Sequence, residues 1–383
     1  MDWRISSPTS GLAEAMLLVQ SPKLRRIEID AREYADASSE AFEVFLQAIV
    51  PVLTRIDALI LSGHSGGHNS IATVCNLKQL HTLEIKHPMA LTQSILDSLL
   101  ELPLLNTLSL EIGDVETDSQ DRAHVFLSLK TLSLTGRLYQ LDVVLSSLTL
   151  PKLTRILLTA MEVSHYGSDV RTLISRLYDF LPWSLDALNL TLKASKINYH
   201  HTHRCSALEF LQPLHARHLR ELTFHFHNVT VIIMDQHVRA VEQAWPDLTT
   251  FQFTQNEEVT HWMVQSRDFR SSLSASPTVQ TVVAFAAARP HLERLSIPCM
   301  SLQCLPPLNE VPMNHGLRWL DVPIIDSDTP LYPVALTLDR MFPNVGIPED
   351  TKTIGRSTGL RGEELKLLML GLQAGRRGKH FEA

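Results

Sequence analysis

The sequence predicts an α/β solenoid, a curved parallel sheet backed by helices, on three observations. A short apolar pattern recurs along the chain, helical spacing fills the gaps between copies, and a proline often stands at a fixed offset before the next copy. The pattern is L-x-x-L-x-L, with Ile, Val or Phe substituting. It reads LRRIEI from Leu24, IDALIL from Ile56, LHTLEI from Leu80, LNTLSL from Leu105, LKTLSL from Leu129 and LTRILL from Leu153. It continues as LDALNL from Leu185, LRELTF from Leu219, LTTFQF from Leu248, LERLSI from Leu292 and LRWLDV from Leu317. Ile56, Leu80, Leu105, Leu129 and Leu153 stand 24, 25, 24 and 24 residues apart. Such a period belongs to leucine-rich repeats, so about eleven irregular copies predict an α/β leucine-rich-repeat solenoid.

Each unit is justified in turn. Phe42, Phe45, Leu46, Ile49 and Leu53 follow helical spacing, as do Leu141, Val144, Leu145 and Leu148. Leu173, Ile174, Leu177 and Leu181 repeat it, and so do Val238, Val241 and Trp245. Pro22, Pro103, Pro151, Pro246 and Pro290 lie two residues before Leu24, Leu105, Leu153, Leu248 and Leu292. Proline lacks an N–H and clashes with the preceding turn, so it ends each helix just before a strand begins. One unit cannot bury its own apolar face, whereas stacking sets Leu59 and Leu61 beside Leu83 and Ile85, then Leu108 and Leu110. The expected division is an N-terminal segment over 1–20, a solenoid over 21–343, and a C-terminal helix, cap and tail over 344–383. Within the last, Arg361–Gln373 is expected to be helical and Ala374–Ala383 to fray.

Composition narrows the function. The 383 residues carry a net charge of −7 without a basic stripe, and the densest basic spot is Arg376-Arg377-Gly-Lys379, so nucleic acid is not an expected partner. No apolar run approaches the length of a membrane span or a signal peptide. Four cysteines (Cys75, Cys205, Cys299 and Cys304) do not make a disulfide framework. A cytoplasmic or nuclear protein is expected, with no membrane contact.

Several stretches invite a chemical reading. Gly63-His-Ser-Gly-Gly67 matches the G-x-S-x-G elbow in which a strained turn presents a nucleophilic serine, here Ser65. Yet Leu59 and Leu61 are already strand positions of a repeat, no oxyanion loop precedes them, and the best-placed late histidine is His380. The glycines are therefore read as a loop, and a hydrolase using Ser65 stands as the alternative. His200, His201, His203 and Cys205 fit no zinc knuckle spacing. Phe224-His-Phe-His227 alternates as a strand should, with Phe224 and Phe226 inside. Cys299 and Cys304 read as buried fillers, and Glu257-Glu258 and Asp118 with Asp121 as acidic loops. The asparagine usual after the repeat core is expected to be missing except at Asn256. Ser266–Pro277 is polar and expected to be an exposed excursion. No catalytic residue, metal or cofactor is expected.

Residues alternating with the strand leucines face the concave side. They are Ser/Thr-rich in the middle, with charged or aromatic groups toward the ends. The candidate binding residues are Arg26, Glu28, Glu84, Lys86, Glu111, Arg155, Glu221, His225, Arg294 and Trp319. Arginine and tryptophan are common anchors of protein interfaces, so a non-enzymatic protein-binding module with an unidentified protein ligand is expected.

The irregular repeats, the SPKLRRIEI and LPKLTRILL openings, and the closing VALTLDRMFPNV with its terminal helix resemble fungal F-box proteins with leucine-rich repeats. The resemblance runs from Leu24 to about Gln373. It implies a solenoid that holds the substrate of a cullin-type ubiquitin ligase, with an N-terminal F-box docking on the Skp-type adaptor. The residues before Leu24 cannot hold an F-box of that kind, so recruitment of the adaptor is not expected. A decayed or structural copy without a ligand is the remaining alternative.

Overall fold

Strands alternate with helices in a computed structural model that describes residues 2–5, 23–30, 39–53, 55–63, 68–116, 123–163, 174–194, 205–256, 276–302, 305–307, 315–326, 330–346 and 361–379. The chain divides into two units. The first comprises Met1–Glu162 with Arg176–Leu185, the second Val163–Ser175 with Asp186–Ala383.

In the first unit seven strands follow in chain order. They are β1 (Asp2–Ile5), β2 (Arg26–Asp30), β3 (Ala58–Ser62), β4 (Thr82–Thr92), β5 (Thr107–Glu116), β6 (Thr131–Arg137) and β7 (Arg155–Met161). All neighbours pair in parallel. Constant spacing gives constant register: Ile27, Leu59, Leu83, Leu108, Leu132 and Ile156 sit side by side, and Ile29, Leu61, Ile85, Leu110, Leu134 and Leu158 form a second row. All twelve are buried. One carbonyl per repeat ties each strand to the next. Arg25 O accepts from Asp57 N and Ala58 N at 2.9 and 3.0 Å, Asp57 O from His81 N and Thr82 N, and His81 O from Asn106 N and Thr107 N. The N-terminal segment contributes to this ladder, since Asp2 to Ile5 pair with Arg26 to Ile29 although no leucine pattern marks them.

Helices cover the other side of the leucine rows. The first unit holds α1 (Ser39–Ile49), α2 (His68–Val74), α3 (Gln93–Leu100) and α4 (Leu138–Ser147). Phe42, Phe45, Leu46 and Ile49 of α1 are buried, as are Leu141, Val144 and Leu145 of α4. Leu148 leaves that helix and begins a two-residue strand against His124–Val125. Strands β4 and β5 outrun the repeat core, with register shifts where Pro88 and Met89 pass Glu111 and Ile112. Gln140 locks this region: its Oε1 accepts from Arg137 N at 2.7 Å and its Nε2 donates to Gly113 O. A Cβ on Gly136 would stand 3.1 Å from Ile112 and 3.2 Å from Gln140 Oε1, so glycine leaves the space the clamp needs.

The second unit repeats the scheme with β8 (Ala187–Lys193), β9 (Glu221–His227), β10 (Thr250–Gln255), β11 (Arg294–Ser296) and β12 (Trp319–Asp321). Its helices are α5 (Ala207–Leu211), α6 (Asp235–Ala244), α7 (Val279–Ala287), α8 (Leu331–Met341) and α9 (Arg361–Lys379). The core here is aromatic. Phe210 of α5 meets Phe226 at 5.4 Å between ring centroids, Phe224 meets Phe253 at 4.8 Å, and Phe251 meets Phe285 of α7 at 5.6 Å.

Arg289, fully buried, closes two helices of this unit. Its guanidinium donates to Val241 O at 2.8 Å, Trp245 O at 3.1 Å and Phe285 O at 3.1 Å, and lies over the Phe285 ring. A cation is favoured where unpaired helix C-terminal carbonyls gather.

Three expectations need correcting. Alternate strand positions do not all reach solvent, because Asp30, Ile60, Thr223 and Ser296 are buried. The terminal helix does not fray at Ala374. It runs to Lys379, held by Arg376 Nη2 on Asp339 Oδ1 at 2.7 Å and by buried Leu365, Met369 and Gln373. An asparagine ladder does exist, with two rungs. Asn256 Nδ2 donates to Asn228 Oδ1 at 2.9 Å, Asn228 N donates to Asn256 Oδ1 at 3.1 Å, and Asn228 Nδ2 reaches Ala194 O at 3.2 Å. Asn228 stands one place later in its repeat than Asn256, at φ 60°, a backbone region asparagine tolerates.

Candidate functional site

The open face of each sheet, opposite the helices, is built from the residues between the leucines. In the first unit one row runs Arg26, Ala58, Thr82, Thr107, Thr131, Arg155, and a second runs Glu28, Ile60, Glu84, Ser109, Ser133, Leu157. Arg26, Lys86 and Arg155 are exposed, while Glu28, Glu84 and Glu111 are half-buried. Lys86 Nζ lies 3.4 Å from Glu84 Oε2. Pro88 faces Glu111 across the β4–β5 step, which puts that carboxylate level with Thr135 of β6. Hydroxyl groups of Thr107, Ser109, Thr131, Ser133 and Thr135 fill the face around Glu111 on β5 and β6.

In the second unit the leading row is Ala187, Glu221, Thr250, Arg294, Trp319, each in register with the next. Arg294 is exposed, and Glu221 and Trp319 are half-buried. The next row is Asn189, Thr223, Gln252, Ser296, Asp321. Asp321 is fixed from two sides, accepting from Ser296 Oγ at 3.1 Å and from Lys366 Nζ of α9 at 2.9 Å. The terminal helix therefore helps build this end of the face. Gly362 comes so close that a Cβ there would lie 2.2 Å from Val322 O.

His225 follows on the same strand as Glu221. Thr254 Oγ1 donates to Phe224 O at 3.3 Å, so it accepts from His225 Nδ1, leaving Nε2 as the acceptor. Burial, then His227, push the His225 value below the usual histidine range, and burial and Lys193 do the same for His227. Both rings are accordingly neutral at neutral pH.

Of the residues singled out from sequence, Glu221, Arg294, Trp319 and His225 are brought onto one face of the second unit. Arg26, Glu28, Glu84, Lys86, Glu111 and Arg155 share the face of the first. The pattern missed Lys366 and Asp321 as a pair, because they stand far apart in the chain and only docking of α9 joins them. Other motifs lie outside the described residues: Ser65 with the rest of His64–Gly67, His200, His201 and His203, Cys304, Asp118 and Asp121, Glu257 and Glu258, and His380. Ser276 and Pro277, the described end of the polar excursion, are buried, with Ser276 Oγ 3.3 Å from Cys299 Sγ. Cys75 and Cys299 are buried, and burial pushes the Cys75 thiol up to about 12, so it is a poor nucleophile. Among the described residues no three His, Cys, Asp or Glu side chains gather as a metal site would require, and no helix is long and apolar enough to cross a membrane.

Parallel strands at repeat spacing, a buried leucine row and covering helices define a leucine-rich-repeat α/β solenoid. No family model matches the chain, and no curated protein matches its sequence. Solved structures do match. A Bacteroides fragilis protein is 14% identical over 69% of this chain and 71% of its own, with a TM-score of 0.34. The leucine-rich repeat-containing protein LegL7 from Legionella pneumophila is 12% identical over 67% of this chain and 91% of its own, also at 0.34. An internalin, InlF, from Listeria monocytogenes is 12% identical over 88% and 94%, again at 0.34. The class assignment rests on register and burial, not on these likenesses.

Proposed function

We propose that the chain is a non-enzymatic protein-binding module whose ligand lies on the open sheet face. One observation carries this reading: Glu221, Thr250, Arg294 and Trp319 stand in register on four adjacent strands, with an exposed arginine beside a half-buried tryptophan. A rigid sheet presents such side chains without the ordering cost a loop would incur. In the first unit, Arg155 and the acidic Glu28, Glu84 and Glu111 give the open face polar groups of its own. No nucleic acid or membrane is part of this reading, and the compartment is the cytoplasm or nucleus.

A finer version makes the ligand the substrate of a cullin-type ubiquitin ligase. Its support is the sequence resemblance to F-box proteins, and it does not include direct capture of the Skp-type adaptor. A paired affinity capture tests both versions. Wild type is compared with a triple variant, Arg155→Ala, Arg294→Ala and Trp319→Ala, after circular dichroism shows both folded. Interface anchors of this kind are worth about 2 kcal/mol or more each, so specific partners should be lost from the variant. Equal retention by both proteins would refute the open face. Recovery of the adaptor itself would show a second docking surface outside this reading.

A further inference from the structure

The turns that lead into the strands form a separate surface on the first unit. Residues 102–106, 126–130, 150–154 and 182–185 make four successive turns, and they lie side by side. Ser128 Oγ donates to Pro103 O at 2.8 Å, Thr154 N to Lys130 O at 2.9 Å, and Ser184 Oγ to Leu153 O at 2.7 Å. Within each turn the repeat leucine is buried: Leu105, Leu129, Leu153 and Leu185. The residues just before them behave differently. Leu104 is 39% exposed, Leu127 65% and Trp183 69%, so three large apolar side chains stand in solvent along one rim. Burying them would stabilise a complex at roughly 25 cal/mol per Å² of apolar area.

Exposed Lys130 and Lys152 lie on these turns, and an exposed carboxylate, Asp186, follows the fourth. Glu101, which borders the first turn, is engaged by Lys78 at 3.0 Å.

We propose that this rim docks an acidic amphipathic helix of a protein partner. Adjacent turns follow strand spacing, about 4.8 Å, close to the helical pitch of about 5.4 Å. A helix laid across the strands would set apolar residues at i, i+4 and i+11 against Leu104, Leu127 and Trp183, since Trp183 is two turns beyond Leu127. Carboxylates on its flanks would face Lys130 and Lys152. A bilayer fits less well, because the three side chains form a line one turn wide and the chain's net charge of −7 opposes approach to anionic lipid. This surface shares none of those side chains with the open-face row, so either reading can fail alone.

The test is a displayed library of random peptides selected on the full chain. Enriched peptides should carry Leu, Phe or Trp at helical spacing and a net negative charge. Their affinity should drop about tenfold or more for Leu127→Ser with Trp183→Ser, and again for Lys130→Glu with Lys152→Glu. Arg294→Ala with Trp319→Ala should leave it unchanged. Leu127, Trp183 and both lysines are exposed, so the variants should fold, and circular dichroism verifies it. No enrichment, enrichment of peptides without acidic residues, or affinity indifferent to both rim variants would overturn the proposal. So would cosedimentation with phosphatidylserine–phosphatidylcholine vesicles that is lost in Lys130→Glu with Lys152→Glu, because it would assign the rim to lipid.

Discussion

The two units solve the same packing problem with different side chains. In the first, the copies from Ile56 to Leu153 stand 24 or 25 residues apart, and the Leu24 copy stands 32 before them. The spine there is almost wholly aliphatic, and six consecutive residues of one row are Ile or Leu. In the second, Leu185, Leu219, Leu248 and Leu292 are separated by 34, 29 and 44 residues, and the spine fills with Phe224, Phe226, Phe251 and Phe253. Rings of Phe210 on α5 and Phe285 on α7 span the space to the sheet. Polar clamps add to the stacking: Arg289 on three carbonyls, the Asn228–Asn256 pair, and His315 donating to Arg289 O at 2.8 Å. The run of near-uniform repeats closes its core with aliphatic side chains, whereas the longest repeats bring large rings into theirs.

That contrast can be broken first where the stacking is most regular. Leu108→Asp would bury an unpaired carboxylate between Leu83 and Leu132, and should unfold the first unit, a loss of about 4 kcal/mol or more by urea titration. Arg289→Met should cost the second unit about 3 kcal/mol, because it strips the charged donor from Val241 O, Trp245 O and Phe285 O. Hydrogen exchange should show the loss in peptides covering Val241–Trp245 and Phe285–Arg289.

A reciprocal exchange sharpens the comparison. Leu134→Phe should overpack the aliphatic spine by about 1–3 kcal/mol. Phe253→Leu should leave a cavity among Phe224, Phe226 and Phe251 and cost about 1–2 kcal/mol. If both substitutions were neutral, side-chain size would not be what separates the units.

The smallest effect is on pH. His215, His225, His227 and His237 of the second unit are all held below the ordinary value of 6.5, chiefly by burial. The unfolded chain therefore binds more protons in that window, so their stabilisation is complete above pH 6.5 and is lost as pH falls through the folded values. Asp339 opposes this nearer the carboxylate range, since burial raises its value despite Arg376. Protection of the amides around Met234 and His237, taken relative to the intrinsic exchange rate at each pH, should fall between pH 7.5 and 5.5. Unchanged protection would contradict the assignment of His237 as a buried neutral histidine.

How far the sequence carried the fold depended on whether neighbours in space were neighbours in pattern. Leu83 beside Leu108 was readable, because one fixed interval sets the whole row. Strand β1 was not, since Asp2–Ile5 has no leucine pattern and is defined by pairing with Arg26–Ile29. Asn228 was hidden by a one-residue shift in its repeat, and Lys366 by its distance in sequence from Asp321. At the open face, alternation correctly placed Glu221 and Trp319, but it could not tell that Ile60 and Thr223 would be covered.

The central claim is that partners are held on the open face. Its most direct measurement places a photo-crosslinking amino acid at Thr250, between Glu221 and Arg294 in the leading row, and in a second protein at exposed Gln243 on helix α6. After irradiation in native extract, the account predicts a discrete adduct from position 250, abolished by Arg294→Ala with Trp319→Ala, and none from position 243. An adduct from position 243 with none from position 250 would contradict it.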